Sequence, residues 1–312
     1  MEEVICEVSL KEKTLLNDSY QISSLISASD LSIVYVAEVI ETGEKVVIKE
    51  FYPASIVIRD LDEITLICAY TRNKNKLNEL KKSFLEEIHL LKSLSHPNII
   101  QYIHHFEENE TVYLVMEYFK GETLDKFIKK QNPFFLSVFL KEVFLPFINA
   151  LQFVHNQRVI HRDIKPKNIL VNKEGRVKII DFGSAICLDD ASNRPIFTTR
   201  GYSPLEFYSS QSQQGCYSDI YSVAAILYYV LSGNPPIEAP LRVIEDRIEP
   251  INRKDSAVSL WFSKKVMKSL SVDYESRPDS ITSLIPFLKL EYNLLKFKEK
   301  IHKTSKNPNS SY

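Results

Sequence analysis

The spacing of apolar residues changes along the chain, and the change divides it into a strand-forming first third and a helical remainder. Val34 to Ile40 and Val46 to Phe51 are rich in β-branched residues and predict two strands joined by the turn Glu41-Thr42-Gly43-Glu44. Residues 52–75 read as irregular and partly polar, with Pro53 breaking the second strand. Leu77, Leu80, Phe84, Ile88, Leu91 and Leu94 then recur at spacings of three and four, the stripe of an amphipathic helix that ends at His96-Pro97. Two more strands are expected around 100–106 and 111–117, with Glu107 to Glu110 as their turn. From about residue 118 the spacing is helical. Phe139, Val143, Phe144, Phe147, Leu151 and Val154 put one apolar face on a helix over 135–156, and Pro146 predicts a kink or an irregular turn within it. Residues 217–231, 258–270 and 280–297 predict further helices, and the polar stretch after Lys298, with Pro308, reads as a frayed tail.

Composition narrows the function classes. The chain has 312 residues, 44% of them hydrophobic, enough for one two-lobed domain with a sizeable core. A net charge of -1 offers no field for nucleic acid or a lipid surface, and no run of about 18 apolar residues marks a membrane span. Cys6, Cys68, Cys187 and Cys216 form no CxxC pair, so reduced thiols in a cytoplasmic compartment are expected rather than a zinc site or a disulfide framework. The start, Met1-Glu2-Glu3, lacks a signal-peptide pattern. Only 7 glycines occur, which makes any motif that needs glycine conspicuous.

The chemistry centres on His161-Arg162-Asp163-Ile164-Lys165-Pro166-Lys167-Asn168, followed 13 residues after Asn168 by Asp181-Phe182-Gly183, with Val46-Val47-Ile48-Lys49 upstream. Phosphoryl transfer needs such a set: a cation to neutralise the triphosphate, oxygen donors for Mg²⁺, and a base for the acceptor hydroxyl. Asp181 and Asn168 offer the carboxylate and amide oxygens that hard Mg²⁺ prefers.

These strings resemble the eukaryotic-type protein kinase superfamily over roughly residues 20–285. Lys49-Glu50-Phe51-Tyr52-Pro53, a long insertion, and Phe84-Leu85-Glu86-Glu87 resemble its bacterial eukaryotic-like Ser/Thr members. The resemblance implies an α+β, bilobal fold, with a small antiparallel-sheet lobe over 20–117 and a large helical lobe over 118–290. Residues 1–19 would be a leader, and 291–312 a helix end and polar tail. It implies that Asp163 is the catalytic base and that Lys165 sits on the transferring phosphate. Lys49 would hold the α- and β-phosphates and pair with Glu87, with Glu86 as the alternative surface charge. Asn168 and Asp181 would bind Mg²⁺, for which Mn²⁺ is a possible substitute. ATP would be contacted by Ser27, Ser29, Val34, Val47 and Leu170, with Met116 as gatekeeper and the backbones of Glu117 and Phe119 on the adenine edge. Glu206 with Arg277, and Asp219, match the activation-segment pair and the aspartate that anchors the catalytic loop. Together with Lys165 and Thr199 they imply a protein substrate with a Ser or Thr acceptor. Thr198, near Ser192 and Thr199, is the expected phosphosite, with Arg162 and Arg194 to bind the phosphate. The alternative is that Asp189 and Asp190 already supply the charge.

Two features depart from the family pattern. The phosphate loop reads Ser27-Ala28-Ser29-Asp30-Leu31-Ser32-Ile33-Val34, with serine at all three glycine positions. A Cβ restricts positive φ, so backbone strain of the usual size would weaken ATP binding by about 1–2 kcal/mol. Val47 replaces the usual alanine over adenine, and overpacking there would cost about 1–3 kcal/mol. Two alternatives therefore stay open: a pseudokinase or activator-dependent scaffold with weak ATP binding, and a transferase acting on a non-protein acceptor.

Overall fold

A computed structural model describes residues 8–130, 136–188, 196–209, 211–251 and 258–305, with backbone alone beyond 301. The chain divides into two compact units, Met1–Ser95 with Ile100–Lys120, and His96–Ile99 with Gly121–Tyr312.

The first unit runs β1 (Leu15–Leu16), β2 (Tyr20–Ala28), β3 (Ser32–Val39), β4 (Lys45–Phe51), β5 (Val57–Arg59), β6 (Leu66–Cys68), α1 (Lys74–Ser93), β7 (Tyr102–Glu108) and β8 (Thr111–Glu117). Six strands form one antiparallel sheet in the order β1-β2-β3-β4-β8-β7. Successive residues of a strand point to opposite faces, so β4 sorts its side chains. Val46, Ile48 and Glu50 are buried on one face, while Phe51 on the other packs against Phe84 of α1, the rings tilted by 40° with centroids 5.5 Å apart.

The stretch expected to be irregular contains a hairpin instead, with Val57 opposite Cys68 and Arg59 opposite Leu66. Its strands are three residues each, too short for alternation to stand out in the sequence. Ile56, Val57 and Leu66 of this region join Leu10 and Leu16 in covering Tyr35, Ile48 and Tyr113. Leu10 and Leu16, placed by the sequence in a leader, are 4% and 0% exposed and belong to this core.

The second unit contains β9 (Glu122–Thr123), α2 (Leu124–Lys130), α3 (Leu136–Asn156), β10 (Val159–Ile160), β11 (Ile169–Val171), β12 (Val177–Ile179), β13 (Ile186–Cys187), α4 (Cys216–Ser232), α5 (Ala239–Ile244), α6 (Leu260–Ser269) and α7 (Ile285–Ser305). The irregularity forecast from Pro146 is a π-helical stretch, Phe139–Phe144, immediately before it. Proline has no N–H for the bond back to residue 142, and a widened turn accommodates the gap. Among the described residues α3 alone is long and apolar enough to cross a membrane, yet more than half of its apolar stretch is buried in the protein, as a core helix would be. The C-terminal helix continues to Ser305 rather than fraying at Lys298. Leu288 and Leu295 anchor its inner face, at 0% and 7% exposure.

Candidate active site

In the first unit, Lys49 and Glu87 form a buried ion pair, Nζ to Oε1 2.7 Å, from the centre of β4 to α1. The helical period that buries Phe84, Ile88 and Leu91 turns Glu87 inward with them. The Lys49 ammonium also lies 5.9 Å from the centre of the Phe84 ring. Strand pairing sets Val34 opposite Lys49 and Lys49 opposite Leu114. The next row is Val36, Val47 and Met116. Directly paired residues share a face, so Val34 and Val47, both half-buried, flank the lysine on one apolar surface with Met116. At the end of β8, the Glu117 N–H donates to the Gln101 carbonyl at 3.0 Å, and its carboxylate accepts the Gln101 N–H at 2.7 Å.

Ser27 pairs with Val34, and Ser29 to Ser32 form the tip of the β2–β3 hairpin. None of Ser27, Ser29 and Ser32 has a positive φ, so the strain expected from replacing glycine is absent. The hydroxyls tie the tip together instead. Ser29 Oγ accepts the Ser32 N–H at 3.1 Å and lies 3.1 Å from Ser32 Oγ, while the Ser29 N–H donates to the Ser32 carbonyl at 2.8 Å. Replacing all three serines by glycine is expected to lower stability by roughly 1–3 kcal/mol without tightening ATP binding. Thermal melts and calorimetric ATP titration check both halves.

In the second unit, the Asp163 carboxylate is held on three sides. Lys165 Nζ is 2.8 Å from Oδ2, the Asn168 amide donates to Oδ2 at 2.8 Å, and the Thr199 hydroxyl is 3.5 Å from Oδ1. Lys165 also reaches Thr199 at 3.5 Å. Burial pushes the Asp163 carboxyl above its ordinary value and the Asp181 charge adds to this, against the pull of Lys165. Asn168 and Asp181 lie at the same end of the β11–β12 hairpin because Ile169 pairs with Ile179 and the Ile180 N–H donates to the Asn168 carbonyl at 3.0 Å. Arg162 and Asp181 both take positive φ, 64° and 65°, a strained backbone for non-glycine residues. Leu170 sits on β11 between Thr123 and Lys178.

The loop is anchored from below by Asp219 of α4, which is fully buried and accepts the His161 N–H at 2.8 Å and the Arg162 N–H at 2.9 Å. His155 completes this anchor, donating from Nε2 to Asp219 at 2.8 Å. Burial by itself pushes the His155 imidazole down. The hydrogen bond to Asp219, contact with the Cys216 thiol and the charges of both outweigh it and hold the imidazole up at about 9. A raised histidine pKa gives stability that is fully present below the ordinary value of 6.5 and is lost as pH rises through about 9. Chemical denaturation should therefore show the wild type losing its advantage over His155→Gln between those two values.

Arg162 was expected to await a phosphate. Its guanidinium is buried, donating to the Ser184 carbonyl at 2.6 Å and to Gln214 Oε1 at 3.1 Å. Thr198 is exposed, and Ser192, Arg194, Asp189 and Asp190 lie outside the described residues. Glu206 and Arg277 form a buried bidentate pair at 2.7 and 3.1 Å. Gln214 was not singled out as a site residue, because it carries no motif and acts through a tertiary contact; His155 falls where the resembling family often has histidine, and its hydrogen bond is not local but reaches Asp219, 64 positions away. Among the described residues no cluster of three or more His, Cys, Asp or Glu could hold a metal ion. The paired amide and carboxylate of Asn168 and Asp181 fit instead a hard cation that keeps waters and phosphate oxygens as its other ligands.

A buried lysine paired with a helix glutamate, and a carboxylate held by a lysine and an asparagine near a DFG aspartate, are the residue types that phosphoryl transfer calls for. Comparison with known proteins agrees. The protein kinase domain model matches residues 30–285, and the chain belongs to that family. Its members are eukaryotic-like protein kinases, transferases that use ATP and a divalent metal and act on proteins. The chain is 31% identical over 245 residues to the probable serine/threonine-protein kinase CCRP1 of Zea mays, covering 74% of this chain and 38% of that one. It is 34% identical over 156 residues to sperm motility kinase 3A of Mus musculus, covering 50% and 31%. With the probable serine/threonine-protein kinase CPE1738 of Clostridium perfringens it shares 27% over 217 residues, covering 66% and 31%. The matches thus span about a third of the length of these curated relatives. The solved structure of PpkA-294 in its apo form superposes with a TM-score of 0.78 at 27% identity, covering 90% of this chain and 99% of that one.

Proposed function

We propose that this chain is an ATP-dependent protein Ser/Thr kinase with Asp163 as its base. The observation that carries the reading is the Asp163 carboxylate, held at 2.8 Å by both Lys165 and Asn168. A base must be positioned before it is basic, and these contacts aim one carboxylate oxygen while burial raises its proton affinity. Asp163 accepts the proton of the attacking Ser or Thr hydroxyl. Lys165 turns from Asp163 to the transferring phosphoryl group as charge develops there. Lys49, aimed by Glu87, binds the α- and β-phosphates. Asn168 and Asp181 would hold Mg²⁺, which would supply neutralisation of the phosphate oxygens. Ser27, Ser29, Val34, Val47, Met116 and Leu170 contact the nucleotide, with the Glu117 carbonyl and the Phe119 backbone on the adenine edge. The Ser/Thr preference rests on Lys165 and Thr199, which stand together at Asp163. The three cysteines among the described residues are free thiols, in keeping with a cytoplasmic, reducing setting.

Radiolabelled γ-phosphate transfer with Mg²⁺, followed by phosphoamino-acid analysis, tests the proposal. Label on Ser or Thr that disappears in Asp163→Asn and Lys49→Met supports it. ATP turnover that labels no protein would shift the reading to a non-protein acceptor. Failure to bind Mg-ATP would shift it to a pseudokinase. The unstrained serine tip removes one reason for that last reading.

A further inference from the structure

Lys49 and Glu50 are neighbours of opposite charge on β4, and both are buried, on opposite faces of the sheet. Lys49 meets Glu87. Glu50 meets a second, separate assembly. Both of its oxygens receive the Arg59 fork, Nη1 to Oε1 at 2.8 Å and Nη2 to Oε2 at 2.7 Å. The Tyr35 hydroxyl donates to it at 2.9 Å and the Tyr113 hydroxyl at 3.3 Å. Arg59 belongs to the β5–β6 hairpin, and it also donates to the Ile64 carbonyl at 2.7 Å and to the Val8 carbonyl at 2.8 Å. The Leu10 N–H donates to the Tyr35 hydroxyl at 3.0 Å. The insertion and the segment before β1 thus close over one fully buried carboxylate.

Stability is a poor reason to keep such a pair, since apolar side chains of similar volume commonly serve as well. Register is a better one. A slip of β4 by one residue would turn every side chain to the other face. Glu50 would then face the Glu87 carboxylate, and Lys49 would enter the apolar core around Tyr35 and Tyr113. A carboxylate that finds four donors on one face only forbids that slip. We propose that Glu50 and Arg59 are positioning residues, which hold β4 in the register that presents Lys49 to Glu87. The inference leans on the proposed function only in taking Lys49 as the phosphate holder.

The test replaces the clasp by apolar residues in the full chain, Glu50→Met with Arg59→Met. The deciding readout is the coupling between Lys49 and Glu87, obtained by denaturing Lys49→Met, Glu87→Gln and their combination in the wild-type and in the clasp-free background. The coupling should be present in the wild type and vanish without the clasp. The Mg-ATP dissociation constant should rise at least tenfold, about 1.4 kcal/mol, alongside. No coupling in the wild type, or the same coupling in a clasp-free chain, overturns the proposal. Should the double substitution not fold, Arg59→Lys takes its place, since it keeps the charge and loses the fork. Reduced coupling supports the proposal there, and wild-type coupling overturns it. A wild type that binds no Mg-ATP would count against the proposed function and leave the coupling to decide this inference.

Discussion

Asp163→Asn is expected to reduce phosphate transfer by about 10²–10⁴-fold while leaving the fold and the ATP dissociation constant close to wild type. The size follows from what the substitution removes. Asparagine is nearly isosteric, so the Asn168 amide and Lys165 keep a partner oxygen at 163, but an amide does not accept the acceptor's proton. The loss should fall on kcat rather than on KM, because the base acts in the transition state and not on bound nucleotide. Burial raises the Asp163 carboxyl, so the acid limb of the wild-type rate should lie above the ordinary aspartate value of 3.8 and should disappear from the residual rate of the variant. A variant that keeps more than a tenth of the wild-type rate would remove Asp163 from this role.

Arg277→Ala is expected to cost about 3–5 kcal/mol, the usual consequence of leaving one charge of a buried pair alone. The Arg277 and Glu206 side chains are 0% and 2% exposed. Arg277 also donates to the carbonyls of Ser271, Val272 and Tyr217, and its guanidinium lies 5.0 Å from the centre of the Tyr221 ring. One truncation therefore strands a carboxylate, three carbonyls and an aromatic face in the core of the second unit. The melting temperature should drop by about 10 °C for a unit of this size. Glu206→Met with Arg277→Met should recover part of the loss, since no charge is then left unpaired. A single substitution that melts within about 2 °C of wild type would show that water or a rearranged partner reaches Glu206.

How much of this was legible beforehand differs from element to element. The helix of Leu77 to Leu94 and the strands around Lys49 and Met116 stand in the sequence because their periods repeat over several turns or alternations. The β5–β6 hairpin does not, since three-residue strands carry too few positions to show a period. Its signal was an oddity in β4 instead. Val46, Ile48 and Glu50 alternate as one face, and a carboxylate on an otherwise apolar face calls for a buried partner. That partner, Arg59, lies nine positions on, in a stretch read as loop. The serines at the phosphate loop stand in the sequence, but the backbone strain expected of them is absent from the structure. Whether a Cβ is strained depends on φ, and composition does not report φ.

By itself, the sequence determined the family and supplied the candidates for the site. Phosphoryl transfer needs a few residue types in one order, and HRDIKPKN, the DFG triplet and VVIK supply them with spacings that chance does not assemble. Local chemistry suffices there because each string is one turn or one strand long. The tertiary structure alone decided what holds those residues in place: His155 beneath Asp219, Gln214 and the Ser184 carbonyl on Arg162, the hydroxyl-tied tip at Ser29, and the Arg59 clasp on Glu50. Three of these four arrangements join residues nine to 64 positions apart. Their geometry depends on how whole elements pack, which no local pattern of hydrophobic and polar positions encodes. The fourth spans three positions, yet it depends on a backbone conformation that only the folded hairpin defines.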